Sequence, residues 1–141
     1  MSSTVLNRVA FIGLGAMGYP MAGHLQQGGL TTQVYNRTLD TGLRWQTQYG
    51  GKAHGTPAAA ARHAELVCLC VGNDDDVRSE VYGQDGVHST LPEGSILIDH
   101  TTASAQLAKE LAAACSERGV GFLDAPVSGG QAGAENGQLT I

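Results

Sequence analysis

The stretch RVAFIGLGAMG, Arg8 to Gly18, joins a short β-branched and aromatic run to three glycines spaced G-x-G-x-x-G. Arg8 to Ile12 reads as a strand, and Met17, Met21 and Leu25 then recur at helical spacing, so the glycines occupy a tight strand-to-helix turn. Gly28 and Gly29 end that helix. Thr31 to Tyr35 makes a second strand, closing a βαβ unit of about thirty residues, as a parallel crossover requires. Pro20 falls near the fourth or fifth helical position, where an N–H is still almost unpaired, and leaves the helix intact.

The alternation continues outward from this unit. Thr56 and Pro57 read as an N-cap followed by proline at the first helical position, leading through AAAARHA into the apolar run Leu66 to Val71. Asn73 with Asp74, Asp75 and Asp76 opens a short helix, Ser95 to Asp99 is a strand, and Leu107, Leu111 and Cys115 stripe a helix stopped by Gly119. Phe122 to Val127 reads as one more strand. Strands that are apolar throughout and separated by helices predict a parallel sheet covered on both faces, the doubly wound α/β class. Ligands of such sheets lie beyond the carboxyl ends of the strands.

Composition narrows the function. The chain has 141 residues, 42% apolar and 15% charged, without repeats or charge blocks, and reads as one continuous domain. No apolar run approaches the roughly 18 residues of a spanning helix, so a membrane span is not expected. Lys and Arg number 8 against 13 Asp and Glu, a formal charge of -5, which argues against nucleic acid as a partner. Cys68 and Cys70 alternate on one strand face and Cys115 sits in a helical pattern. All three read as buried thiols, because an odd count and a Cys-x-Cys spacing fit neither a disulfide framework nor a zinc knuckle. His24, His54, His63, His88 and His100 lack metal-ligand spacing, and the three aspartates are most simply helix caps, so no metal is expected. Met1 to Ala10 shows neither a secretory nor a mitochondrial leader pattern, which makes the cytoplasm the expected location.

The glycine spacing carries chemistry. Gly13 permits the tight turn, Gly15 lets a pyrophosphate approach the backbone with no Cβ in the way, and Gly18 brings helix and strand together. Leu14, Ala16 and Met17 complete a turn whose free N–H groups stand at the positive end of the helix dipole. A merely tight turn is the alternative, but it leaves the coincidence of all three spacings unexplained. Strand two closes with Asn36, Arg37 and Thr38, where sites for NAD usually place a carboxylate on the ribose 2′-hydroxyl. A neutral Asn36, a guanidinium at Arg37 and a hydroxyl at Thr38 suit a 2′-phosphate, so NADP is expected over NAD; the alternative is an arginine solvated after a strand.

Four stretches together resemble the β-hydroxyacid dehydrogenase family, which includes 3-hydroxyisobutyrate, tartronate semialdehyde and glyoxylate or succinic semialdehyde enzymes. They are FIGLGAMGYPMAGHL (Phe11 to Leu25), VYNRT (Val34 to Thr38), DHTTAS (Asp99 to Ser104) and DAPVSGGQAGAENGQLTI (Asp124 to Ile141). The resemblance implies a Rossmann-like NAD(P)-binding domain. It implies that Val71, Gly72 and Asn73 lie along the cofactor between pyrophosphate and nicotinamide, and that Thr102 contacts the nicotinamide ribose. Gly72 departs from the proline common there. Ser128, Gly129 and Gly130 would hold the carboxylate and adjoining hydroxyl of a small substrate. A serine hydroxyl beside two unhindered amides suits an anion, although a Gly-Gly turn with a capping serine is the bland alternative. His100 is expected to be structural.

Members of that family continue through the rest of the nucleotide domain, a long helix carrying a catalytic lysine, and a helical domain. Lys52 and Lys109 stand in no such motif, so no catalytic residue is assigned and the lysine is expected beyond Ile141. Residues 1–141 are therefore expected to be a dinucleotide-binding domain incomplete at its C-terminal end, a fragment or split-gene product of an NADP-dependent enzyme. That enzyme would transfer a hydride between nicotinamide and a small hydroxy acid or semialdehyde. The chain alone is expected to be inactive, and a homo-oligomer is expected only of the full-length protein. A non-catalytic dinucleotide-binding module is the reading from a different class; imine reductases and 6-phosphogluconate dehydrogenases compete within the enzymes.

Overall fold

A computed structural model describes residues 6–141; the leader-free reading of Met1 to Ala10 falls partly on residues 1–5, which lie outside the described residues. Six strands form one parallel sheet: β1 (Arg8–Ile12), β2 (Thr31–Tyr35), β3 (Lys52–Ala53), β4 (Leu66–Leu69), β5 (Ile96–Asp99) and β6 (Gly121–Asp124), in the order β3-β2-β1-β4-β5-β6. The helices are α1 (Gly18–Gln27), α2 (Leu39–Tyr49), α3 (Pro57–Ala61), α4 (Asp74–Tyr82), α5 (Ala105–Glu117) and α6 (Gly130–Glu135), with a single 3-10 turn at Val87–Ser89. The chain winds outward from β1 in one direction, returns, and winds from β4 in the other. That reversal makes the Rossmann-like, doubly wound sheet and opens a crevice between the carboxyl ends of β1 and β4.

Both faces of the central strands are buried because β1 is apolar at every position after Arg8. Successive side chains alternate across the sheet. Ala10 and Ile12 join Val67, Leu69 and Leu97 in a layer covered by α3, α4 and α5. Val9 and Phe11 join Val34 and Cys68 in a layer covered by α1 and α2. Leu107 and Leu111 on α5, four residues apart on one face, are fully buried, and each contributes roughly 1.5–3 kcal/mol through removal of its apolar surface from water. On the other face Trp45 is the largest buried side chain, with its indole N–H donating to the Tyr19 carbonyl at 3.2 Å. Gly23 has no side chain where the Tyr49 ring lies, which lets α1 and α2 pack closely.

Several sequence-based expectations hold at single-residue resolution. β1 and β2 have the expected bounds, Thr56 caps α3 by accepting from the Ala59 amide at 3.1 Å, and Gly119 turns the chain after α5 with φ +69°. Others shift. Pro20 is the third residue of α1 rather than the fourth or fifth, still within the turn that has no intrahelical N–H partner. The apolar run after His63 is strand only to Leu69, and the strand expected over Phe122 to Val127 runs from Gly121 to Asp124, since Pro126 has no N–H to continue a ladder. β6 is not covered on both faces: Leu123 is 54% exposed at the sheet edge. Cys68 and Cys115 are buried as expected, but Cys70 is only partly so. Among the described residues no helix is long and apolar enough to cross a membrane, and no group of three or more His, Cys, Asp or Glu is placed to hold a metal ion.

Candidate functional site

The crevice between β1 and β4 is a cleft of about 400 Å³ lined by the glycine turn, the end of β2 and the residues after β4. The three glycines answer to three different constraints. Gly13 has φ +101°, and a Cβ there would stand 2.2 Å from the Cys70 carbonyl oxygen. A Cβ on Gly18 would stand 2.0 Å from the Gly13 carbonyl oxygen and 3.1 Å from the Phe11 ring, so only glycine lets α1 start against β1. A Cβ on Gly15 would meet nothing within 4 Å. Gly15 is therefore not needed by the fold; its bareness leaves backbone accessible from the cleft.

The amides of Gly15, Ala16, Met17 and Gly18 have no acceptor among the described residues, and Met17 gives α1 no side-chain cap. No acidic residue stands in the first turn of α1. Three other helices have side-chain caps, Thr56 on α3, Asn73 on α4 and Ser104 on α5 each accepting from an amide three residues on, whereas α2 and α6, like α1, have none. An uncapped helix start with four open N–H groups is a fitting receptor for a diphosphate. The donor set thus suits a dinucleotide.

The other expected residues divide. Asn36, Arg37, Val71 and Gly72 join Gly13, Gly15, Ala16, Met17 and Gly18 in the lining. Leu14 does not: its side chain is buried, and its amide donates to Asn36 Oδ1 at 2.8 Å. Asn36 also donates through Nδ2 to the Thr38 carbonyl at 3.1 Å, so this side chain fastens the glycine turn to the end of β2. Thr38 stands outside the cleft as the residue before α2, and the Asn73 side chain is consumed in capping α4. Thr102 is exposed and outside the lining, whereas its neighbour Thr101 is buried, its hydroxyl accepting from the Val71 amide at 3.1 Å. His100, expected to be structural, donates from Nδ1 to the Ala125 carbonyl at 2.8 Å, and its ring is stacked 6.4 Å from Phe11.

Four lining residues, Tyr35, Cys70, Asp76 and Glu80, are not among those the sequence assigns to the site. Asp76 and Glu80 are four apart on α4 and share a face. Burial raises the Glu80 carboxyl above its usual range, Arg37 opposes this, and Asp76 adds to it. Burial also pushes the Cys70 thiol up to about 11, with the Asp99 carboxylate adding to it, and Cys68 up to about 12, so neither thiol is a ready nucleophile. The three aspartates expected as dipole caps have separate partners. Asp74 accepts from the Ser104 amide and hydroxyl, Asp75 lies 3.7 Å from Arg78, and Asp76 lies 3.8 Å from Arg37.

Ser128, Gly129 and Gly130 form a second donor group. Ser128 pairs with Thr140 through an antiparallel bridge, two hydrogen bonds of 2.9 Å, which closes the loop around α6. Gly129 and Gly130 have φ +132° and +64°, and their amides and the Ser128 hydroxyl have no partner among the described residues. His24, on α1, holds this loop by donating from Nε2 to the Ala134 and Glu135 carbonyls at 2.9 and 3.0 Å.

The family profile described as the NAD binding domain of 6-phosphogluconate dehydrogenase matches residues 8–141. An uncharacterized oxidoreductase of Shewanella frigidimarina is 56% identical over 134 residues, covering 95% of this chain and 46% of that protein. A probable 3-hydroxyisobutyrate dehydrogenase-like protein, mitochondrial, of Arabidopsis thaliana is 40% identical over 134 residues, 95% of this chain and 44% of its own length. The structure of Mycobacterium tuberculosis 3-hydroxyisobutyrate dehydrogenase with L-serine superposes with a TM-score of 0.87 at 28% identity, over 96% of this chain and 45% of that one. The chain thus spans less than half the length of these proteins.

Proposed function

Because this chain belongs to the family of the NAD binding domain of 6-phosphogluconate dehydrogenase, we propose that it is the cofactor half of an oxidoreductase acting on a small hydroxy acid or semialdehyde. The observation that carries this reading is the row of four open amides at the uncapped start of α1, in the same cleft as Arg37. In this reading the amides of Gly15, Ala16, Met17 and Gly18 donate to the diphosphate, and Val71 and Gly72 line the path toward the nicotinamide. Arg37, whose side chain is 82% exposed, donates to a 2′-phosphate, so NADP is preferred over NAD. When bound, the nicotinamide supplies or accepts the hydride.

Ser128, Gly129 and Gly130 donate to the carboxylate of the substrate. The presence of L-serine, a small hydroxylated carboxylate, in the M. tuberculosis structure supports that substrate class. Lys52 and Lys109 are exposed on β3 and α5 and neither lines the cleft, so the proton donor comes from outside residues 1–141. The chain alone is expected to bind cofactor with negligible turnover.

Parallel calorimetric titrations with NADPH and NADH test the reading. Arg37→Ala should weaken NADPH by about 1.5–3 kcal/mol, the range for a hydrogen bond to a charged group, and leave NADH nearly unchanged. Equal losses for both dinucleotides would refute the phosphate assignment.

A further inference from the structure

Arg37 is not a free cation. Its guanidinium lies 3.8 Å from Asp76 Oδ1, on the wall that also holds Glu80. Asp76 stands with Asp74 and Asp75 in the first turn of α4, as expected of carboxylates complementing the helix dipole, but the side-chain cap is Asn73 and the two neighbours turn elsewhere, Asp74 to Ser104 and Asp75 to Arg78. Space for Asp76 comes from Gly72: a Cβ at position 72 would stand 2.6 Å from Asp76 Oδ2 and meet nothing else but the same carboxyl group within 4 Å. The absence of one side chain after β4 therefore seats a carboxylate between that loop and the end of β2.

We propose that Asp76 is a specificity-determining residue of this cleft: seated in the space left by Gly72, it faces the Arg37 guanidinium and competes for it with a ribose 2′-phosphate. Cofactor choice is then set by the pair and not by Arg37 alone. The inference rests on the dinucleotide reading given above. A phosphate entering beside Asp76 meets a like charge as well as the guanidinium, whereas the 2′-hydroxyl of NAD meets no such repulsion. Discrimination is a difference of two affinities, and Asp76 acts on one of them.

The test titrates the 141-residue chain, Asp76→Asn and Gly72→Ala with NADPH and NADH by calorimetry, with a thermal melt of each. Asp76→Asn should tighten NADPH about five- to tenfold and change NADH less than about twofold, since a like charge has been removed from beside the phosphate alone. Gly72→Ala, which displaces the carboxylate without removing it, should move the ratio of the two affinities in the same direction, and it decides the matter if Asp76→Asn fails to fold. An unchanged ratio in a variant that melts like the wild type overturns the proposal. A wild-type chain that binds neither dinucleotide removes the cleft assignment and the proposal with it. NADPH binding lost selectively in Arg37→Ala, but with a ratio untouched by Asp76→Asn, keeps that assignment and removes Asp76 alone.

Discussion

Gly15 and Gly18 stand three residues apart, and an added side chain has different consequences at each. Gly18→Ala drives a methyl into the Gly13 carbonyl and is expected to destabilise the fold by about 1–3 kcal/mol, the usual cost of overpacking, seen as a lowered midpoint in urea. Gly15→Val places its side chain in open space, so the midpoint should move by no more than about 0.5 kcal/mol while calorimetry shows dinucleotide binding abolished. Retained binding in that variant would remove Gly15 from the site. The steric demands at Gly13 and Gly18 and the open space at Gly15 were legible because spacing encodes them. Asn36 was legible as a position but not as a fastener, since its bond to the Leu14 amide spans 22 residues. The Arg37–Asp76 pair joins two crossovers, and nothing local at either residue announces it.

At the scale of elements, Asp74 ties α4 to α5. The hydrogen bonds from the Ser104 hydroxyl and amide hold its carboxyl below the usual carboxylate range. A depressed folded value means that this contribution to stability is present above the unfolded value of about 4 and is lost as pH falls through the folded one. Asp74→Asn should therefore lower the urea midpoint at neutral pH, with the gap to wild type closing as the solution is acidified toward about pH 2. A gap independent of pH would mean that the charge plays no part. Five of the six strands and most helices were legible from periodicity and caps, but the two-residue β3, α2 and α6 were not. The buried face of α2 is made by Gly42 and Trp45 while Leu39 and Leu43 point to solvent, so its apolar periodicity misleads. Gly129 before α6 and Gly130 at its start both have positive φ, a sequence that reads as a turn, and the helix is held in place by the His24 imidazole from a helix more than a hundred residues away.

Across the whole molecule, one sheet separates two apolar layers, and their coupling can be measured. Leu111 is fully buried on the inner face of α5, and Leu111→Ala should cost about 2–5 kcal/mol through lost contact and the cavity left behind. Trp45, the lone tryptophan, lies in the opposite layer and reports on it by fluorescence. If the layers unfold together, its transition in this variant coincides with the loss of backbone circular dichroism, and separated transitions would show that they do not. Sequence sufficed for the doubly wound class, because apolar strands alternating with helices leave few other arrangements. It did not reveal that β6 is an exposed edge, a property of how far the sheet extends.

One consequence concerns α1, the central helix that this chain leaves without a cap of its own. Whatever anion settles on Gly15 to Gly18 finishes that helix from outside, so occupancy and folding are thermodynamically linked: at a hundredfold excess over Kd the gain is about 2.7 kcal/mol. Hydrogen exchange at those four peptide groups should slow on loading more than anywhere else. On the proposed reading the coenzyme stands where a first capping residue would, supplying from solution the oxygen atoms that serine or aspartate would otherwise provide.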